Sequence, residues 1–567
     1  MKYSTLADYY ERLEKISSKL EKISIVAELL KKTPSDILPK IVLLLKGVVF
    51  PSWSEEELGV ANQLMIKAIS KACGVKSEEI SKKFKETGDL GLTAEYFVKN
   101  RKQKPLIKKT LLVKDVFEIL RKIAKQTGKG SQERKLNLIA ELLSQSSPKE
   151  ARYIVRTILG ELRVGVAEGI VRDAIAKAFK VSSTLVENAW FLNQDYGEVA
   201  KIAKEKGEKG LKKVKIEVGR PIAVLLAEKA PSLKDAIESF ENVGLEIKYD
   251  GMRSQIHKKG EKIWIFTRRQ ENVTKAFPDL VELCKKGLKA RECIVEGETL
   301  AIDPKTKKPL PFQMLSQRIK RKYDIEKMIE KIPIQINLFD IVYLNGKTLF
   351  SLPLKERRKK LEKIVKVIPG RFQLSEQIVT KDMRKAKRFY EKALKEGQEG
   401  LMVKNLDAIY QPGRRVAGGW LKVKPTLESL DLVIIGATWG TGKRTGWLGS
   451  YILGCRDPST GKFLECGMLG TGVKEKKTNP NDVTFEDLTK LLKPNIESEK
   501  GNEVKIKPKV VIEVAYEEIQ KSPTYSSGFA LRFPRFLRIR WDKGPDEADT
   551  IERIKRIYEI QRGRKTK

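Results

Sequence analysis

Residues 245–260 read LEIKYDGMRSQIHKKG. Polar and apolar residues alternate through its start, so Leu245 and Ile247 face one way along a strand and Glu246 and Lys248 the other. Asp250-Gly251 is a reversal signal and predicts a hairpin whose return strand carries Arg253. One face would then gather a carboxylate, an amine and a guanidinium. The bland reading is a solvated lysine beside a turn. The sharper one is a nucleophile, because burial or neighbouring cations disfavour a lysine's charged form and free its amine to attack.

The rest of the chain weighs on the second side. Cations recur at Arg268, Arg415, Lys422 and Lys424, and the last two share one strand face in WLKVKP. Such groups suit phosphate oxygens. Glu296 and Glu298 share a face in EGE, and Glu399 precedes a strand bearing Lys404. Carboxylates beside phosphates are where Mg²⁺ binds. Phe339, in INLFDIVYLNG, is placed to stack on a base.

Composition narrows the chemistry. There are 113 Lys and Arg against 74 Asp and Glu in 567 residues, a formal net charge of +39, which favours a polyanion such as nucleic acid. The single histidine, His257, lies in an alternating strand and reads as structural, so Ser-His or Cys-His chemistry has almost no material to work with. Five scattered cysteines without a C-x-x-C pair argue against a zinc ribbon, although Cys455 and Cys466 could meet across a hairpin. No apolar run is long enough to span a bilayer, and MKYSTLADYYERLEK lacks the apolar core of a secretory signal, so a cytoplasmic protein is expected. Richness in Lys and Glu points to a thermophile, most simply an archaeon.

Along the chain, residues 1 to about 205 carry apolar residues at helical spacing, broken by Pro, Gly and Ser. ARYIVRTILGELRVGVAEGIVRDAIAKAFK reads as helix, glycine-containing turn and helix, with Arg163 in the turn. AKEKGEKGLKKVK, from Ala203, reads as a linker or exposed loop. Short β-branched and aromatic runs mixed with helices follow, the pattern of an α+β domain ending near Pro425. From DLVIIGATWG onward strands dominate, as in a small β-barrel, and TIERIKRIYEIQ forms a late helix.

Taken in order, K-Y-D-G-x-R, E-G-E, L-F-D, E-G-L-M-V-K and W-L-K-V-K form the motif series of the covalent nucleotidyltransferases. The chain resembles the ATP-dependent DNA ligases of archaeal and eukaryotic replicative type, with GDLG at Gly88, LRVG at Leu162 and ALRFPRFLRIRWDK extending the likeness to both ends. The resemblance implies a helical DNA-binding domain (1–210), an α+β adenylation domain (211–424) and an oligonucleotide-binding barrel (425–567). It implies that Lys248 becomes adenylylated within the Asp250-Gly251 motif, that Glu246 reads the adenine amino group and that Phe339 stacks on the ring. Arg253 and Glu298 would hold the ribose, and Arg268 and Arg415 (Arg414 is the alternative) the nucleotide or nick phosphate. Lys422 and Lys424 would hold the α-phosphate, and Glu298 and Glu399 Mg²⁺. Arg540, Asp542 and Lys543 match the R-x-D-K element that orients pyrophosphate. The implied enzyme is a monomer that closes around nicked duplex DNA and serves replication, recombination and repair.

Two lookalikes carry less. ATWGTGKR resembles a phosphate-binding loop but has Ala437 where Gly is needed and Arg444 where Ser or Thr is needed, so it reads as a barrel loop. QKPLIKK, from Gln103, sits where related ligases carry a sliding-clamp segment but lacks the aromatic anchors. An RNA ligase or capping guanylyltransferase is disfavoured by the long helical front, a non-catalytic binder by the intact motif series, and an NAD-dependent bacterial ligase by the missing zinc cysteines. NAD or ADP as a secondary cofactor stays open.

Overall fold

The computed structural model describes residues 1–101, 109–319, 324–413, 419–425, 428–440, 444–479 and 482–561. Gln103, Arg414 and Arg415 lie outside the described residues. The chain divides into two compact units. One comprises Met1–Glu228, Gly251–Glu376 and Asn405–Trp420, the other Lys229–Asp250, Gln377–Lys404 and Leu421–Lys567.

The first unit begins with helices from Tyr3–Glu14 through Tyr196–Leu211 around an apolar core that includes Leu30, Val116, Ile154 and Val171. Helix Pro148–Leu159 shows why the sequence folds locally as it does. Ser147 and Glu150 form a reciprocal N-terminal cap, Pro148 fills the first turn, and Gly160 ends the helix in a left-handed conformation. Its Arg156 bonds Asp89 at 2.8 Å, while Asp89 Oδ1 also accepts the backbone N–H of Gly91 (2.7 Å) and of Leu92 (3.1 Å). Gly91 must lack a side chain, because a Cβ there would lie 2.7 Å from the Arg152 carbonyl. GDLG is thus a cap and a close helix crossing. In the LRVG turn, Arg163 is exposed with φ +58° and lies 3.6 Å from Asp89.

The AKEKGEKGLKKVK stretch corrects the linker expectation. It is helical to Leu211, with one kink at Gly207. Lys and Glu are good helix formers, and Ala203, Gly210 and Leu211 are buried, so helix resumes after the break at Gly207, where the backbone turns to φ 54°, and Gly210 is accommodated within it.

The first unit also holds a seven-stranded sheet. Its main path runs Lys262–Thr267, Met252–Lys259, Glu292–Ile302, Ile334–Leu344 and Lys347–Thr348. Helices such as Pro278–Gly287 and Phe312–Ile319 contribute to its core of Ile256, Val295, Ile336 and Leu338.

The second unit holds a five-stranded sheet in the order Glu228–Lys229, Trp420–Val423, Gly400–Asn405, Val243–Lys248 and Gln377–Val379. Leu245, Ile247, Leu401 and Val403 pack on Phe389 and Ile237, from helices Met383–Lys395 and Leu233–Glu238. That burial commits one face of the sheet to the core and leaves Glu246 and Lys248 on the other, as the alternation predicted. The strand-rich remainder turns about Leu430–Trp439, which pairs with Leu448–Arg456, Glu503–Ile506 and Val511–Ala515. Ala437 is a buried residue of that strand, so the phosphate-loop lookalike begins within the barrel. All five cysteines are buried free thiols, Cys455 and Cys466 included. No helix among the described residues is long and apolar enough to cross a membrane.

Candidate active site

The predicted hairpin at Asp250-Gly251 does not form. Val243–Lys248 pairs with Gln377–Val379, whereas Met252–Lys259 pairs with Lys262–Thr267 and Glu292–Ile302, so Lys248 and Arg253 belong to different sheets. Asp250-Gly251 is a crossing between sheets rather than a reversal within one. Glycine is needed for packing: a Cβ on Gly251 would come within 2.4 Å of the Thr299 carbonyl. Asp250 is buried, and its N–H donates to Gln398 Oε1 at 2.9 Å.

On the small sheet, Lys248 ends its strand in an ion pair with Glu399. Glu399 N–H donates to the Lys248 carbonyl at 2.9 Å, which ties the two backbones together. Lys424 joins the same carboxylate at 2.9 Å and reaches Glu517 at 3.5 Å. Burial would push the Glu399 carboxyl up, but the Lys248 and Lys424 ammoniums outweigh it and hold its pKa far below the usual carboxylate value. Glu399 is therefore ionised at neutral pH. Glu246 lies on the same face with both oxygens bonded, Oε1 by Gln377 and Oε2 by Lys404. Lys422 is half-buried on the neighbouring strand.

On the large sheet, Arg253 is aligned with Glu298 across the strand pair, and its Nη2 bonds Glu296 at 2.8 Å. Its Nη1 donates to the Leu225 carbonyl at 2.7 Å, and its guanidinium lies over the rings of Phe339 (5.5 Å) and Trp420 (5.4 Å). Two aromatic faces and a buried carboxylate fix its direction. Glu296 and Glu298 part ways within EGE: Glu296 is fully buried and accepts also from Tyr410 (3.0 Å) and Gln255 (3.2 Å), while Glu298 is half-exposed. Arg268 is exposed after strand Lys262–Thr267.

His257 supports this sheet from beneath. Gly219 N–H donates to its Nδ1 at 3.1 Å, so the proton sits on Nε2, which bonds Gln255 Oε1 at 3.0 Å. Burial pushes its pKa down to about 3, which keeps the ring neutral. The structural role expected for the only histidine holds.

In the barrel, Arg540, Asp542 and Lys543 meet around a residue the sequence reading passed over. Asp431 accepts from Arg540 (2.7 Å) and Lys543 (2.7 Å), while Asp542 takes the other side of the Arg540 guanidinium at 2.7 Å. A lone aspartate in the apolar run LDLVII was the available signal, since a buried carboxylate needs a partner. Gln377, Tyr410 and Trp420 were missed as well, and they had no comparable mark in the sequence.

Among the described residues no group of three or more His, Cys, Asp or Glu is placed to hold a metal ion. A cation would find at most one or two carboxylates and would need phosphate oxygens, the usual habit of Mg²⁺.

A helical front, two sheets bearing an ion-paired lysine and a caged arginine, and a barrel with an R-x-D-K element define a covalent nucleotidyltransferase acting on nucleic acid. Family models agree in chain order: DNA ligase N terminus over residues 2–176, ATP dependent DNA ligase domain over 224–424, and ATP dependent DNA ligase C terminal region over 444–543. The chain belongs to the ATP-dependent DNA ligase family, whose members seal nicks through a lysyl-AMP enzyme intermediate. It is 53% identical to a DNA ligase of Nanoarchaeum equitans, with 99% of each chain covered. It is 49% identical to a DNA ligase of Thermococcus onnurineus, covering 100% of this chain and 99% of the relative. A solved structure named Pmar-Lig_Pre shares the fold, with a TM-score of 0.55 at 16% identity over 94% of this chain and 99% of its own.

Proposed function

We propose that Lys248 is the residue through which this ligase works. Its Nζ, once the ammonium has given up a proton to solvent, attacks the α-phosphate of ATP; a P–N bond forms, the bond from the α-phosphorus to the bridging oxygen breaks, and pyrophosphate leaves. AMP then passes to the 5′-phosphate at a nick in duplex DNA. The 3′-hydroxyl attacks that phosphate, the backbone closes, and AMP departs. The observation that carries the reading is the shared, ionised carboxylate of Glu399, which binds both the Lys248 ammonium and Lys424 on the polar face of a strand. An amine held by backbone and carboxylate is oriented before substrate arrives, and positioning with charge neutralisation supplies most of the catalysis in phosphoryl transfer.

The remaining roles follow the family pattern onto matching positions. Glu246 reads the adenine amino group and Phe339 stacks on the ring. Arg253 and Glu298 hold the ribose. Arg268 and Arg415 serve the nucleotide or nick phosphate, and Lys422 and Lys424 the α-phosphate. Arg540, Asp542 and Lys543 orient pyrophosphate. Glu399, ionised and hard, fits Mg²⁺, with Glu298 as the second carboxylate; bound, the metal would neutralise phosphate charge. The chain would work as DNA-binding (1–210), adenylation (211–424) and oligonucleotide-binding (425–567) domains, and its net charge of +39 suits a phosphate-led, salt-sensitive grip on DNA.

The test is covalent labelling. The full chain is mixed with Mg²⁺ and α-labelled ATP, after pyrophosphate pretreatment to remove any adenylate already present. Label that survives denaturation, is absent in Lys248→Ala and is discharged by nicked DNA supports the reading. A pretreated wild type that never labels refutes it.

A further inference from the structure

Glu246 does not stand alone. Gln377 is its cross-strand partner and donates from Nε2 to Oε1 at 2.8 Å. On the adjoining strand Lys404 sets its ammonium 2.7 Å from Oε2, and both charged side chains are 2% exposed. A pair this dry is expensive in desolvation, and well-packed apolar residues in its place are often as stable or more so. The other face of the sheet already supplies an apolar core through Leu245, Ile247, Leu401 and Val403. The polar row therefore calls for a reason beyond folding.

The geometry points to Lys404 and Gln377 as the residues that set the enzyme's choice of purine, acting through Glu246. This rests on the assignment of Glu246 to the base. An ionised carboxylate accepts hydrogen bonds and cannot donate one. The Lys404 ammonium, 2.7 Å from Oε2, holds that oxygen in place and leaves the carboxylate's remaining lone pairs as acceptors toward a ligand. Gln377 fixes the plane of the carboxylate from the opposite side. A 6-amino purine brings N–H donors to such a group. A 6-oxo purine brings an oxygen whose lone pairs a carboxylate repels. Were Glu246 released from these two partners, its lone pairs would no longer be aimed at the base edge and the discrimination would fall. Lys404 and Gln377 are thus positioning residues whose effect is specificity.

ATP and ITP separate the idea cleanly, because they differ at position 6 and in the N1 proton. Covalent labelling of the full chain is measured with each α-labelled nucleotide. In Lys404→Met the ratio of kcat/KM for ATP over ITP should fall by about tenfold to a hundredfold, the usual worth of a directed polar contact to a base edge. Lys404→Arg should restore the ratio, and Gln377→Leu should lower it by a smaller factor. A merely structural role would slow both nucleotides together and leave the ratio unmoved; that result in Lys404→Met and Gln377→Leu overturns the proposal while leaving lysyl-AMP formation in place. Failure of the wild type to label with either nucleotide would instead overturn the Lys248 assignment. Should Lys404→Met not fold, Gln377→Leu, at a half-exposed position, decides by the same ratio.

Discussion

The lone histidine offers a clean test of the electrostatics under the large sheet. His257 is fully buried and its pKa is pushed from 6.5 down to about 3, so the folded protein keeps the ring neutral where the unfolded chain would protonate it. Below pH 6.5 the unfolded state binds one more proton than the folded state. Stability is therefore lost as pH falls, and the loss continues until the folded ring itself protonates near 3. Between pH 7.5 and 5.5 the cost is about 1 kcal/mol, and across the whole window it approaches about 5 kcal/mol. The structure also says what protonation would break, since a proton on Nδ1 removes the acceptor for the Gly219 N–H. His257→Gln should be less stable at pH 7.5, with the gap to wild type narrowing by about 1 kcal/mol at pH 5.5 as the wild type alone pays for the proton. Carboxylate titration is common to both proteins and cancels. Because a chain of several domains need not unfold in one step, hydrogen exchange of amides in Met252–Lys259 is a better readout than a global melt. The imidazole gives a single histidine resonance, which should not titrate between pH 8 and 5. A midpoint near 6.5, or a gap that does not change with pH, would refute the buried neutral ring.

Three further outcomes are expected. Arg357 and Asp340 are both fully buried and joined by two hydrogen bonds of 2.8 and 2.9 Å, so Arg357→Met, which strands the carboxylate behind Phe339, should cost about 3–5 kcal/mol by denaturant titration; a loss below 1 kcal/mol would contradict the packing. Gly400 has φ +134° and a Cβ there would lie 2.1 Å from the Val423 carbonyl, so Gly400→Ala should destabilise by about 3 kcal/mol or more and slow covalent labelling, because it moves the neighbouring Glu399. With five buried free thiols, the native protein should resist a thiol reagent, and the denatured protein should yield all five without reductant; a yield of three would place a disulfide where the structure has none.

The sequence by itself determined more of the chemistry than of the architecture. Period-two alternation set Glu246 and Lys248 on one strand face and Leu245 and Ile247 on the other, because a buried face admits one register only. The helix–turn–helix around Gly160 was legible from the glycine-containing turn between two helical runs, and the single histidine was placed as structural from its position in an alternating strand. Charge and motif order named the substrate class. What the sequence did not determine was partnership. Asp250-Gly251 reads locally as a hairpin, yet Glu246 pairs with Gln377, which lies 131 residues away. Local turn chemistry is a weak preference, and the burial of two separate apolar faces overrides it. The glycines of AKEKGEKGLKKVK mislead in part: Gly207 does break the helix, but buried Ala203, Gly210 and Leu211 keep the chain helical on both sides of it. Asp431, Gln377 and Tyr410 act only through residues distant in the chain, and no local pattern marks them. Their roles follow from the rule that a buried charge or polar group must find its partner, and tertiary structure alone decides which partner that is.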